Sequence, residues 1–427
     1  MRSLFSNRDV ALIALVSVCV VVPISAAQTL RQLAELTTKN GVSGDSMGQS
    51  VAVEGNIVLV GVPYRTVGNN IEQGVVDVFS RPASGWQNMT QTSTLALSGG
   101  VPYQTFGASI AISGDTFVVS APNASDGCSS NPGAVYVFIK SGNRAEQVAM
   151  LTPSDNYPCN PFGWSVAISG DTIVVGSPVN SPGGDGEAFV FVKPASGWQN
   201  MTETAKLTAS DSNQGPGWFG ETVSVDGDTV VVGAYLQAFT GEAYVFVKPS
   251  SGWTNTTETA KLTPSDGLPS DQFGFAVSIS GNTVLVGSPY NPFGQQYGAG
   301  YIYVEPATGW VTATETAKLT ASDEVAFDVL GTSVLMAGNN ALLGAPCPYY
   351  PEQANPGAAY AYVKPATGWK STSNFQAKFT SSDGFSTDNF GSAIALSGSI
   401  LVIGAPQVHW DPNFDNPGPG ATYVFGR

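Results

Sequence analysis

Charge is scarce in this chain. Only 11% of its 427 residues are Asp, Glu, Lys or Arg, and acids outnumber bases 32 to 17. The net charge of −15 repels phosphate backbones and anionic lipid at long range, which excludes nucleic acid and membrane surfaces as natural partners. Histidine occurs once, as His409, so a zinc centre of several imidazoles is excluded. A Ser-His-Asp triad would have to recruit that same residue. Neither a G-x-S-x-G elbow nor a G-K-[ST] phosphate loop occurs, and no pattern calls for a cofactor or a metal. Stretches with the 3.6-residue helical period are missing from the repeating part of the chain, which excludes βαβ units and helical solenoids.

Long apolar runs are missing as well, with one exception near the N-terminus. Arg2 and Arg8 precede a mostly apolar run from Val10 to Val22, and Ser25, Ala26 and Ala27 follow it. Thirteen residues are short for a bilayer span, and the layout is that of a secretory signal peptide over residues 1–27. The expected mature protein, residues 28–427, is extracellular and does not insert in a membrane. Losing Arg2, Arg8 and Asp9 leaves it 15 basic and 31 acidic side chains, a net charge of −16. Cysteine is sparse: Cys19 lies in the leader, leaving Cys128, Cys159 and Cys347. An odd count in an exported chain suggests one disulfide and one leftover thiol.

What the chain has in abundance is repetition. FGWSVAISGDTIVVGSP, from Phe162 to Pro178, returns as FGETVSVDGDTVVVGAY from Phe219, FGFAVSISGNTVLVGSP from Phe273 and FGSAIALSGSILVIGAP from Phe390. Aligned copies place their glycines at Gly48, Gly107, Gly163, Gly220, Gly274, Gly331 and Gly391, spaced 59, 56, 57, 54, 57 and 60 residues apart. Each unit reads as four short strands of alternating or β-branched pattern, bounded by Gly, Pro, Asn, Asp and Ser. The fold class is therefore all-β, and seven such meanders form a seven-bladed β-propeller. The last copy lacks its outer strand, while a surplus one, LAELTT (Leu33–Thr38), precedes the first motif. A ring closed by the N-terminal strand accounts for both facts. Residues 28–427 are thus read as one propeller domain.

Most repeated residues read as structural. Phe plugs the space between blades, with Met47 and Leu330 in that slot in the first and sixth copies, and Gly permits close chain approach. Trp86, Trp198, Trp253, Trp310 and Trp369 recur in an SGW turn and read as packing against outer strands. Asp155, Asp211, Asp266, Asp323 and Asp383 end the TxSD motif. They read as turn formers, with calcium ligation as the alternative.

The residues FG, SVA, a Gly-Asp hairpin, VVGSP and GEAYVF together resemble the FG-GAP repeat of integrin α-chain heads. They resemble still more the FG-GAP proteins of microbes and algae, in which AKLTASD is also typical. The resemblance covers all seven copies from about Leu33 onward. It implies a seven-bladed propeller with a role in extracellular recognition or adhesion. One departure matters. Integrin blades often hold calcium in a long D-x-D-x-D-G-type loop between the first two strands, whereas here that connection is only Gly170-Asp171, Gly227-Asp228, Gly281-Asn282 or Gly398-Ser399. Two residues with one carboxylate suit a tight primed turn and cannot wrap a calcium ion.

Sequence variation concentrates in the loops between second and third strands and in the blade connections, which share one face. That face offers Tyr64, Arg65, Tyr103, Tyr157, Trp218, Tyr290, Tyr349, Tyr350, His409, Trp410 and Asp411 as candidate binding residues. Aromatic rings beside amides and acids suit an extracellular glycan or a protein partner. Cys128 and Cys159 fall on this face in adjacent blades and are the expected disulfide; Cys347 has no evident mate. Asn88, Asn200 and Asn255 begin sequons on the opposite face, and Asn123 begins one on the variable face. The leading expectation is a secreted, non-enzymatic recognition or adhesion module. A polysaccharide lyase-like enzyme built on His409, Tyr64, Arg65 and Asp411 is the alternative, and a self-associating matrix or wall protein a third. Oligomeric state is not legible.

Overall fold

A turn of two residues sets the start of every blade. Gly55, Gly114, Gly170, Gly227, Gly281, Gly338 and Gly398 all have φ between +55° and +59°, where a Cβ is disfavoured. The third blade pairs Ser169 with Thr172 across Gly170-Asp171, so the expected primed hairpin is what forms. The same blade continues antiparallel through Ser165–Ser169, Thr172–Ser177, Glu187–Val192 and Ala205–Thr208.

The computed structural model describes residues 30–122, 133–142, 144–155, 161–178, 186–211, 217–292, 294–346, 356–384, 388–407 and 418–427. Seven separate sheets carry the strands, each with an inner-to-outer order of four and a fifth short strand in three of them. This is the seven-bladed propeller. Arg31–Thr37 pairs antiparallel with Ala421–Gly426, matching Glu35 to Tyr423 and Leu36 to Thr422, so the first strand completes the last blade. Ala34 and Leu36 of this strand are fully buried. Among the described residues the one helical element is the 3-10 turn Gln237–Phe239.

Adjacent blades meet through glycine. A Cβ on Gly61, Gly176, Gly233, Gly287, Gly344 or Gly404 would sit 2.0–2.1 Å from the carbonyl oxygen of the next blade's motif glycine. The contact runs right round to Gly404 against Gly48, which joins the seventh blade to the first. Each motif glycine also donates its N–H to the second strand of its own blade, as Gly220 does to Gly233 O at 3.1 Å. The second blade departs, with Ser120 in place of glycine; its Oγ accepts from Ser109 N–H at 2.9 Å. Phe219 of the fourth blade meets Tyr244 and Phe246 edge-on at 5.3 and 6.0 Å, and packs with Val174 and Leu207 of the third. The motif Phe is therefore the interblade wedge that the sequence suggests.

Further out, the blades are clamped by polar groups about fifty residues apart. Lys261 Nζ reaches Asp211 of the preceding connection at 2.5 Å, and Lys318 reaches Asp266 at 2.6 Å. Lys206 pairs with Asp155 and Lys378 with Asp323 in the same way. Each lysine also lies 5.1–5.6 Å from the centre of an aromatic ring on its own blade. In the seventh blade the Tyr423 hydroxyl donates to Asp383 instead. Burial would raise the Asp211 carboxyl, but hydrogen bonds from Lys261 and Tyr244 outweigh it and hold it below the usual range. The TxSD acids thus make interblade bonds, a role that reading each repeat alone does not reveal.

Glu203, Glu258 and Glu315 add a second clamp, each accepting from both the N–H and the hydroxyl of a serine in the preceding connection. Trp86, Trp198, Trp253, Trp310 and Trp369 are buried against the preceding blade's outer strand, Trp253 for example with Ala205 and Leu207. All five act as packing residues.

Gly233 has an ordinary φ, so replacing it tests the contact without backbone strain. Gly233→Ala should destabilise the ring by about 3 kcal/mol or more, because the obstructing Gly274 oxygen belongs to a backbone that cannot yield. Thermal unfolding followed by circular dichroism checks this; an unchanged Tm would refute the contact's importance.

Candidate functional site

The residue after each motif glycine lies one or two positions before an inner strand, and the ring brings these positions together around its axis. Gln49, Ala108, Trp164, Glu221 and Phe275, from five successive blades, line a cavity of about 360 Å³. Pro63, Tyr64 and Pro122, which follow second strands, complete the wall together with Thr105. The cavity therefore opens on the face that carries the variable loops. A far smaller crevice, about 20 Å³ between the first two blades near Lys140 and Arg144, holds little more than a water.

Aromatic rings fix one side of the axial cavity. Trp164 meets Trp218 at 6.5 Å between centroids, Trp218 meets Tyr235 at 5.6 Å, and Tyr235 meets Phe275 at 5.5 Å. Contacts of this kind hold each ring against its neighbours, so the wall is preorganised. Trp218 sits at φ 58°, a left-handed conformation that turns the chain sharply before Phe219.

Glu221 stands among these rings. The residue as a whole is half-buried, but its Oε2 is enclosed and has no hydrogen-bond partner. Burial pushes its carboxyl up to about 7, opposed only by a hydrogen bond with the Trp164 side chain. Tyr235 is pushed up to about 12, first by burial and then by the negative potential of Glu221 and Tyr290. An acid poised near neutrality in an apolar recess is the kind of group found where ligands bind.

Of the residues singled out from sequence, Tyr64 lines the cavity and Trp218 supports its wall. Tyr290 lies close enough to influence Tyr235, while Tyr103 is exposed at φ 59°. Arg65 is committed elsewhere. Its Nε and Nη2 bind Asp45 at 2.9 and 2.5 Å, and Nη1 donates to Thr38 Oγ1 at 2.8 Å, tying the first blade to the closing strand. Arg65 is thus a half-buried closure clamp with each of its three nitrogens engaged. Tyr157, Tyr349, Tyr350, His409, Trp410 and Asp411 lie outside the described residues, as do Cys128, Cys159, Cys347, Asn123 and the leader, residues 1–27.

The sequon asparagines have a structural use. Asn88, Asn200 and Asn255 are exposed, and their Oδ1 atoms accept from the N–H groups of Glu35, Met150 and Lys206 on the preceding blade. Thr312 and Ser371 do the same with hydroxyls in the next two blades. An acceptor is required at that repeat position, which explains why the motif recurs.

Sequence reasoning missed Trp164, Glu221, Tyr235 and Phe275, because each looks like an ordinary strand-edge residue in its own repeat. It also missed the buried acids Asp45, Asp271 and Asp328, three residues before their motif glycines. Each accepts a backbone N–H three residues upstream and so braces a blade connection.

Residues 89–138, 145–191, 201–246, 256–304, 313–362 and 374–425 match the FG-GAP repeat family. These segments cover more than half of the chain, and the protein belongs to that family. Compared with curated proteins, the chain finds no match.

The Glu221 environment has a consequence for stability. Its carboxyl is higher in the folded state than its ordinary value of 4.5, so its contribution is complete below pH 4.5 and is lost as pH rises through about 7. Glu221→Gln removes this dependence. Between pH 5 and pH 8 the variant should gain about 2 kcal/mol relative to the parent. Denaturant unfolding at both pH values measures it; a gap that stays constant would place the carboxylate in water.

Proposed function

We propose that this FG-GAP propeller is an extracellular recognition module that binds a glycan or a protein through its loop-bearing face, with the axial cavity as the anchor. The observation that carries the reading is the preorganised aromatic wall of a cavity of about 360 Å³ on that face. Its size falls in the ordinary range for ligand pockets, about 300–1,000 Å³. The leader-like N-terminus supports export. The family's repeats are propeller blades suited to interaction, and fold alone assigns no chemistry.

The test uses residues 28–427, immobilised and exposed to a panel of neutral and anionic polysaccharides and extracellular proteins. The expected result is retention of at least one member, with polymers intact. The double variant Tyr64→Ala, Trp164→Ala should weaken it about tenfold or more, as loss of a central aromatic anchor does. Retention that ignores the double variant would remove the axial cavity from the binding surface. Depolymerisation with new unsaturated ends, lost in His409→Ala, would replace the recognition reading with an enzymatic one.

A further inference from the structure

Among the described residues, the fixed charge in the lining of the axial cavity is negative. Glu221 is the one ionisable acid or base among the described residues that line it, apart from the Tyr64 phenol, and none of them is Lys, Arg or His. The nearest candidate cation by sequence, Arg65, is consumed by Asp45 and Thr38. The Glu221 Oε2 is buried without a partner, although a buried carboxylate oxygen is ordinarily satisfied. Trp164, Tyr64 and Phe275, whose rings carry negative faces, line the same cavity. Trp218 and Tyr235 hold two of these rings in place from behind. A carboxylate in a cavity lined by aromatic rings complements a cation with apolar substituents.

We propose that the axial cavity binds an organic ammonium ion, held by the Glu221 carboxylate and the rings of Trp164, Tyr64 and Phe275. The inference rests on the recognition reading above and supplies the chemistry of its anchor. Ammonium fits better than guanidinium, because Oε2 is enclosed and only the other carboxylate oxygen is left to face a ligand. A guanidinium fork would want both oxygens at once. An anion would meet the like charge of Glu221. Among the described residues of the wall, a neutral sugar would find few further polar side chains, chiefly Gln49 and Thr105. The ion could be a free alkylammonium solute or the lysine ammonium of a docking partner; the chemistry at the site is the same.

Titration calorimetry of residues 28–427 at pH 8 tests the proposal with three probes. These are choline chloride, its uncharged isostere 3,3-dimethyl-1-butanol, and Nα-acetyl-lysine amide. At least one ammonium probe should bind saturably, and the alcohol should bind about tenfold more weakly than choline if choline is the preferred ion. Glu221→Gln and Trp164→Ala should each cost about tenfold, the scale of one lost ion or ring contact. Phe239→Ala, an exposed ring outside the cavity wall, should change nothing. Circular dichroism verifies that the variants are folded.

Preference for choline identifies a free quaternary ion, and preference for the lysine amide identifies a partner side chain. Equal binding of choline and the alcohol would overturn the ammonium assignment while leaving an apolar anchor and the recognition reading intact. Failure of every cation to bind would overturn the assignment too. The recognition reading would then stand or fall on whether Tyr64→Ala, Trp164→Ala abolishes retention in the panel.

Discussion

The carbonyl oxygen of each motif glycine lies where a Cβ of the preceding blade would be, and the rest of the ring depends on that contact. Backbone touching backbone sets the blade spacing at its inner end without any side chain to adjust it. Six of the seven junctions have glycine on the receiving strand, including Gly404 against Gly48 at the closure. The exception shows how the constraint works. At Ser120 the Cβ is present, and a Cβ on the facing Gly163 would meet nothing nearer than 3.3 Å. The chain is looser at that junction and admits a side chain. Repetition of Phe-Gly and of the second-strand Gly is therefore the signature of a spacing rule imposed once per junction.

Blades splay as they radiate, so the outer gap needs filling rather than clearing. Trp of the SGW turn fills it with apolar surface, and Asp-Lys-aromatic and Ser-Glu clamps fill it with paired polar groups. The polar pairs contribute modestly one at a time, but they fix which edge meets which. Family matching follows the same logic. The matched segment 201–246, for example, begins beside the outer strand of the third blade and ends in the third strand of the fourth. The unit written into the sequence spans a junction between two blades. Completion of the seventh blade by Arg31–Thr37 is the necessary result of cutting such a chain at one point.

Much of this was legible because periodicity survives without coordinates. The glycine spacing, the missing last strand and its surplus at the other end led directly to the closed ring. The two-residue Gly-Asp turn was equally plain, since few residues tolerate its φ. What stayed hidden shares one property: it joins positions a full repeat apart. Asp211 and Lys261 are fifty residues distant, so the acid looked complete in its own motif as a turn former and the lysine drew no reading of its own. Arg65 looked like a ligand contact because Asp45 and Thr38 belong to other segments. The sequons looked like modification signals because the amide they satisfy lies on another blade.

The axial cavity was hidden for the same reason, yet its trace can be found by reading down the repeats instead of along them. The positions following the motif glycines are Gln49, Ala108, Trp164, Glu221, Phe275, Thr332 and Ser392, no two alike. The flanking Phe and Gly barely vary, so the local backbone is the same in all seven copies. Packing therefore does not account for the differences. Thr332 and Ser392 turn their hydroxyls back to carbonyls of their own connections, at 2.7 Å each. Trp164, Glu221 and Phe275 instead face the cavity. A position released from the spacing rule, multiplied by seven and gathered by closure around one axis, is where a repeat protein can hold a site that no single repeat contains.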